Sequence, residues 1–309
     1  MLNSSNGRRR CLSDQLCRLI DLEPPRGAYL GAFTAEWEGE TIPDFEAMIG
    51  RKLDIAMHYD GWQVSWPTEQ EIRDAETGHI VMVTWGSPEE EPKLEQINSG
   101  YWDPWISSRA EAAKHWRMPF FLRPLWEMNG NWSAWDGLHS DGNPSLYVSA
   151  WRRIWRLFQD QGATNTVFVW SPNHEDVPRA PWNHWKNYYP GHDFVGWVGI
   201  DGYNWGSCAP FSRWQDPGSI FAPIYNDYAG RKPLMIAESA SAEEGGSKAA
   251  WIMEARRQIK TDMPLVRAFV WFQQNKECDW RISSSQSALE AYRTLAQDPY
   301  FAPKGISAP

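Results

Sequence analysis

The stretch Phe120-Phe121-Leu122-Arg123-Pro124-Leu125-Trp126-Glu127 indicates the fold of this chain most directly. It begins as an apolar run, typical of a strand that is buried on both faces, and it ends on an acid at the carboxyl edge of that strand. A second stretch, Leu234-Met235-Ile236-Ala237-Glu238-Ser239, has the same design. Parallel strands that present polar side chains at their carboxyl ends are typical of α/β folds, whose active sites lie at that edge.

Six further apolar runs of strand length complete a set of eight, separated by helix-sized intervals. The predicted strands are 29–33, 53–59, 79–85, 120–126, 166–172, 197–203, 234–239 and 267–273. Two intervals have helical features, 145–159 by its apolar period and the one after Ser247 by its N-cap. A doubly wound open sheet would place a glycine-rich phosphate loop after its first strand, which this chain lacks. We therefore expect a single-domain (β/α)8 TIM barrel over residues 27–300, with an N-terminal arm at 1–26 and a C-terminal tail at 301–309.

The composition excludes some classes of binding partner for this protein. The 309 residues have a formal net charge of -9 and a pI near 5.3, so the clustered Lys and Arg that hold a phosphate backbone are missing. The apolar runs are strand-sized, well short of the roughly 20 residues that cross a bilayer. We expect a monomer that acts on an uncharged polymer, with no nucleic-acid partner and no membrane span.

The compartment is left undecided. Residues 1–26 include three consecutive arginines but no apolar stretch after them, so a signal peptide is not visible. The four cysteines have no C-x-x-C spacing, which argues against a zinc site. Whether Cys208 and Cys278 pair stays open at this stage.

Tryptophan is unusually abundant, with 21 in the chain. A single Trp more often packs in a core than binds a ligand, but several here follow predicted strand ends, where a flat ring can face the apolar side of a pyranose. We expect about half of that set to line a cleft. The set comprises Trp62, Trp66, Trp85, Trp132, Trp135, Trp205, Trp271 and Trp280.

Glu127 and Glu238 are the candidate catalytic residues. Two strand-end carboxyl groups are what glycoside hydrolysis requires, because one protonates the leaving oxygen while the other meets the developing oxocarbenium ion. An apolar and aromatic setting such as that of Glu127 favours the protonated form of a carboxyl group. The alternative, a structural ion pair for each acid, is the less favoured interpretation.

Several stretches together resemble glycoside hydrolase family 26, a family of retaining endo-glycanases that are mostly β-mannanases. The stretch from Arg123 to Trp135 is similar to the family's acid/base motif, and the resemblance covers about residues 27–283. Its further parts are Gly27-Ala28-Tyr29-Leu30-Gly31, Val198-Gly199-Ile200-Asp201-Gly202-Tyr203-Asn204, Glu238, Trp271-Phe272, Lys276 and Asp279-Trp280-Arg281. These motifs are specific jointly and weak singly.

The resemblance implies a role for each matching residue. Glu127 becomes the general acid/base and Glu238 the nucleophile, with net retention and carboxyl groups about 5 to 5.5 Å apart. Tyr203 is expected to donate a hydrogen bond to Glu238, and Trp271 to form the floor under the sugar that is cleaved. Plain packing at the barrel mouth is the alternative for both. Asn129 and Trp132 lie beyond the acid/base and are expected to border the leaving group, while Trp85 and Trp205 are further candidates for substrate contacts.

One position departs from the family. The residue before the acid/base is usually His, and here it is Trp126, whose indole donates one hydrogen bond and accepts none, so substrate choice is in question more than catalysis. His58 is a candidate polar contact in the cleft, or else a structural residue. Arg123 is expected to lie deeper in the barrel, on the assumption that residues 123, 125 and 127 share one face of the strand. It either holds Glu238 anionic or balances a buried acid such as Asp201.

The sequence thus predicts a retaining endo-glycoside hydrolase that needs no metal or cofactor. β-1,4-Mannan is the favoured substrate, and mixed-linkage β-glucan, β-xylan or a bacterial exopolysaccharide are alternatives. A carbohydrate-binding barrel without turnover is the rival from another class. Because Glu127 and Glu238 are both present in the sequence, the enzyme is the favoured interpretation.

Overall fold

The computed structural model of the protein describes residues 22–86 and 92–303. Eight parallel strands form a closed barrel, in which each strand pairs with its neighbours in chain order and the last strand closes on the first. The prediction of a (β/α)8 barrel is confirmed. The strands are β1 Tyr29–Thr34, β2 Ile55–Asp60, β3 Ile80–Trp85, β4 Phe120–Pro124, β5 Thr166–Trp170, β6 Trp197–Asn204, β7 Leu234–Ser241 and β8 Val266–Gln273.

Nearly every strand residue is buried. The inner face of each strand fills the barrel, and the outer face is covered by helices, so water reaches neither side. This double covering explains why the strands are continuous apolar runs in the sequence. It also removes the alternation of polar and apolar residues that would show which side chains point inward.

Eight α-helices are found among the residues that the structure describes. They are α1 Ile42–Ile49, α2 Glu69–Glu76, α3 Leu94–Ser99, α4 Asp103–Trp116, α5 Pro144–Gln161, α6 Pro217–Tyr228, α7 Lys248–Thr261 and α8 Gln286–Ala296. The two helices predicted from the sequence correspond to α5 and α7. Ser247 caps α7 through its side-chain oxygen, which accepts from the backbone N–H of Ala250. Across the described ranges, no helix has both the length and the apolar character needed to cross a membrane.

The connections between strands are uneven. β3 and β4 are joined through two helices, α3 and α4. Three short 3-10 helices, Pro181–Asn183, Trp185–Tyr188 and His192–Phe194, occupy the connection from β5 to β6. The interval after β5 therefore differs from the regular helix that a simple alternation predicts.

The ends of the packed domain lie slightly outside the predicted limits. Most of the predicted arm at 1–26 is outside the described residues, but Leu22 is buried and the Pro24 carbonyl accepts a hydrogen bond from Arg267. At the other end, Phe301 is fully buried and its carbonyl accepts from Arg51, so the barrel domain continues past the predicted limit at residue 300. Residues 304–309 of the predicted tail lie outside the described residues.

Candidate active site

Glu238 lies on β7 at the carboxyl end of the barrel and is almost fully buried. Its Oε1 accepts a hydrogen bond from the Tyr203 hydroxyl, as the resemblance implies. Its Oε2 accepts from the Tyr59 hydroxyl and, at 2.5 Å, from Nη2 of Arg123. Three donors on one side chain match the acceptor-only chemistry of an ionised carboxylate. Burial and the negative charge of Glu238 raise the pKa of both phenols, which keeps them protonated as donors.

Arg123 is fully buried below the two acids and connects four neighbouring side chains. The strand register places Tyr59, Thr84 and Arg123 side by side on β2, β3 and β4. Nε of Arg123 donates to Oγ1 of Thr84 at 3.0 Å, and Nη2 donates to the Tyr59 hydroxyl at 3.1 Å. Nη1 lies 2.8 Å from the fully buried carboxylate of Asp201, while Nη2 pairs with Glu238. Arg123 therefore contacts both of the acids that the sequence offered as its alternative partners.

Glu127 reaches the mouth from a strained turn. β4 ends at Pro124, and Leu125 and Glu127 have φ angles of 49° and 53°, in the left-handed region that costs a non-glycine residue about 1–3 kcal/mol. The assumption that residues 123, 125 and 127 alternate along one strand is therefore wrong. The turn is fixed by a 2.8 Å hydrogen bond from the backbone N–H of Glu127 to the Ser171 carbonyl at the end of β5. Arg123, on the strand itself, is 0% exposed, and Glu127, on the turn, is 9% exposed.

The carboxyl group of Glu127 has two hydrogen-bond donors. Nε1 of Trp132 donates to Oε2 at 2.8 Å, and Nδ2 of Asn173 donates to Oε1 at 3.3 Å. A Cβ at Gly130 would overlap the Trp132 ring, so this position must be glycine for the indole to reach the acid. Burial raises the pKa of Glu127 well above its ordinary value, the negative charge of Glu238 raises it further, and the Trp132 hydrogen bond opposes them. Glu127 is thus suited to hold a proton at neutral pH.

Aromatic side chains line the mouth around the two acids. Trp126 is 7% exposed and meets Tyr59 edge to face, with ring centroids 5.6 Å apart. Phe272 on β8 packs between Tyr59 and Tyr203. Half-buried Trp205 continues this wall beyond Tyr203.

A disulfide between Cys208 and Cys278 joins the loop after β6 to the loop after β8. This answers the question of pairing that the sequence left open. The two loops also meet through the rings of Trp205 and Trp280, whose centroids are 5.0 Å apart. The bond therefore lies beside the aromatic wall of the mouth.

The substrate contacts predicted for Trp271 and Trp85 are wrong, because both side chains point away from the cleft. Trp271 is fully buried between β8 and the outer helices, against Trp251 and Tyr292, and it is Phe272 that faces the mouth. Trp85 is likewise fully buried and stacks on Trp62, with ring centroids 3.9 Å apart. Neighbouring strand residues point to opposite faces, so an error of one residue places a core side chain in the cleft.

His58 is placed wrongly for the same reason. Its Nε2 lies 2.9 Å from Oδ2 of Asp74 on α2, outside the barrel wall. Tyr59, the next residue, is the one that enters the mouth and bonds Glu238.

Asn129 does not border the leaving group as predicted, since it is fully buried. Its Nδ2 donates to the carbonyls of Asn173 and Glu175 and to Oδ1 of Asp176, and its Oδ1 accepts from the backbone N–H of Asn173. Asn129 therefore fixes the loop after β5, which carries the Asn173 amide that bonds Glu127.

The sequence interpretation missed Tyr59, Asn173 and Phe272. Each stands at or just beyond a strand end, and Phe272 lies inside a stretch already quoted for the family resemblance. Choosing the correct face of each strand would have identified Tyr59 and Phe272. Among the side chains of the described ranges, no group of three or more His, Cys, Asp or Glu is arranged to hold a metal ion.

Comparison with known proteins places this geometry in a family. The chain is 39% identical over 273 residues to endoglucanase H of Acetivibrio thermocellus, a match that covers 86% of the chain and 30% of that protein. It is 32% identical over 127 residues to mannan endo-1,4-beta-mannosidase A and B of Caldalkalibacillus mannanilyticus, which covers 40% of the chain and 22% of that protein. The chain therefore spans less than a third of the length of either relative.

The fold is shared with solved structures. The catalytic domain of the GH26 endo-beta-1,4-mannanase of Bacillus sp. JAMB-750 superposes with a TM-score of 0.70 at 15% identity, over 93% of this chain and 90% of that one. Residues 74–256 match the family described as glycosyl hydrolase family 26, and this segment includes both Glu127 and Glu238. The chain belongs to glycosyl hydrolase family 26.

Proposed function

We propose that this protein is a retaining endo-glycoside hydrolase that cleaves a β-linked polysaccharide by double displacement. The observation that carries the proposal is the contrast between two buried acids at one mouth. Glu238 receives two phenols and a guanidinium, whereas Glu127 is buried with a raised pKa and sits on a separate turn. When the environments of two carboxyl groups differ in this way, one group acts as the anion and the other as the acid, here Glu238 and Glu127 respectively.

In the first step, Glu238 attacks the anomeric carbon while Glu127 protonates the glycosidic oxygen. A bond forms between a Glu238 oxygen and the anomeric carbon, and the bond to the leaving oxygen breaks. The proton of Glu127 passes to that oxygen. Tyr203, Tyr59 and Arg123 hold the nucleophile in place by fixing both of its oxygens.

In the second step, Glu127 acts as a base and removes a proton from water as the water attacks the anomeric carbon. The pKa of Glu127 must fall between the two steps. Because the charge of Glu238 is one cause of the raised pKa, converting Glu238 to a neutral ester lowers that pKa at the right moment. The hydrogen bond from Trp132 also favours the anionic form of Glu127.

For the substrate, we propose β-1,4-mannan first, in keeping with the mannanase relatives and the family's predominant activity. β-Glucan is the second candidate, because one relative, whose match covers 86% of this chain, bears the name endoglucanase H. Trp126 bears on this choice, since its ring packs on Tyr59 beside the nucleophile and offers no hydrogen-bond acceptor to a sugar hydroxyl.

The test is the release of reducing ends from mannan, mixed-linkage β-glucan and xylan. We expect wild-type cleavage of mannan or glucan, a loss of about 10²- to 10⁴-fold in Glu127→Gln, and inactivity in Glu238→Ala. Glu111→Gln, an exposed acid on α4, is the matched control and should keep full activity. Equal activity in all four proteins would refute the two assignments, and binding of the polymers without any cleavage would favour a non-catalytic barrel.

A further inference from the structure

We propose that Trp37 is a distal binding platform for a pyranose unit of the polysaccharide, on the side of the sugars that stay attached to Glu238. The inference rests on the proposed function and extends it to a site away from the reacting bond. Trp37 lies in the 3-10 helix Glu36–Glu38 after β1 and is 67% exposed, so its ring is accessible to a ligand.

An unbroken series of aromatic contacts connects Trp37 to the nucleophile. Its ring is 5.5 Å from that of Phe33, and the Phe33 ring is 4.9 Å from those of both Tyr59 and Phe272. Tyr59 in turn donates its hydroxyl to Glu238. Phe33 and Phe272 are buried, so the series places the exposed indole at the rim of the same mouth. A flat exposed ring at that distance from the nucleophile suits a ligand longer than one sugar, since pyranose rings present apolar faces to flat side chains.

The loop that carries Trp37 is fixed to the barrel mouth. Nε2 of Gln274 donates to Oε1 of Glu38 at 2.7 Å, and Nε2 of Gln273 donates to Oε1 of Glu40 at 2.9 Å. Both glutamines are buried at the end of β8. A ring presented by an anchored loop loses little freedom when a ligand binds, which favours affinity.

The order of the strands around the barrel indicates on which side of the cleaved bond Trp37 lies. The donors to Glu127 come from the loops after β4 and β5, so the leaving group lies on that side. Trp37 contacts Phe33 on β1, whose other ring neighbours lie on β2 and β8. β1 lies three strands from β4 around the barrel. A polymer that crosses the mouth between the two acids therefore reaches Trp37 with the sugars on the nucleophile's side.

The experiment measures binding in a Glu127→Gln background, in which the cleavage slowed by about 10²- to 10⁴-fold lets the substrate persist through a titration. Isothermal titration calorimetry with mannohexaose and cellohexaose should show an affinity about tenfold lower when Trp37→Ala is added, since removing a Trp anchor from an interface commonly costs at least this much. The mannobiose and cellobiose affinities should change less than twofold. Trp37→Phe, which keeps a ring, should retain most of the affinity for the hexasaccharides.

Tyr101→Ala is the matched control, because Tyr101 is 68% exposed and packs on Trp102 rather than on the aromatic series of the mouth. It should leave every affinity unchanged. If Trp37→Ala binds the hexasaccharides as the parent does, the platform is refuted even where Glu127 and Glu238 prove essential for cleavage. If the wild type cleaves no polymer but Trp37 still governs hexasaccharide binding, the proposed function fails and the platform stands.

Discussion

Replacing Trp132 with phenylalanine should raise the pH at which activity declines. The indole N–H donates to Oε2 of Glu127 at 2.8 Å, and this bond stabilises the anionic form of the acid. A hydrogen bond to a buried charged group contributes about 1.5–3 kcal/mol, and because Trp132 is 44% exposed we reduce this to about 1 kcal/mol. Loss of the bond then raises the pKa of Glu127 by roughly 0.7 units.

The assay is the pH dependence of kcat/KM, which reports the acid and base of the free enzyme. The alkaline limb should move to higher pH by about half a unit to one unit in Trp132→Phe, because Glu127 stays protonated for longer. Trp205→Phe removes an indole N–H from the loop after β6 and should leave the limb in place. A limb that stays still, or moves to lower pH, in Trp132→Phe would refute the role given to this hydrogen bond.

Two further predictions concern stability and the mouth. Burial, and then the charge of Glu71, raise the pKa of Asp60 to about 9, so its stabilising contribution is present below about pH 4 and is lost as the pH rises towards 9. Denaturant titrations should show that the unfolding free energy falls less between pH 5 and pH 9 in Asp60→Asn than in the wild type, by more than about 1 kcal/mol. An equal fall in the two proteins would contradict this. Opening the Cys208–Cys278 disulfide, by reduction or in the double serine variant, should lower the unfolding free energy by about 4 kcal/mol for a separation of 70 residues. It should also raise KM for polymers more than for short glycosides. If KM rises equally for polymers and for short glycosides, the disulfide has no role in positioning the aromatic wall of the mouth.

The sequence was most informative about the strands. All eight were identified, because strands covered on both faces are continuous apolar runs bounded by turns. The same covering hides the direction of each side chain, so the sequence points to His58 and Trp271 where the structure places Tyr59 and Phe272 in the mouth. The chemical type of a residue does not show which face of the strand its side chain points to, because this depends only on its odd or even position along the strand.

The turn that carries Glu127 shows a second limit. Regular alternation predicts that Leu125 and Glu127 continue the strand, but both have positive φ angles that local propensity disfavours. Contacts distant in sequence, such as the bond from the Glu127 backbone to Ser171, hold this conformation. The burial of Asn129 and its bonds to the loop after β5 depend on the same long-range packing.

Trapping the covalent intermediate is the most direct test of the assignment of Glu238. An activated 2-deoxy-2-fluoro β-glycoside of the preferred substrate should form a glycosyl-enzyme that breaks down slowly, and mass spectrometry of its peptic fragments should locate the sugar. The account predicts one sugar, attached to Glu238. Attachment to Glu127 or to another residue, or turnover of the reagent with inversion and without any adduct, would contradict it.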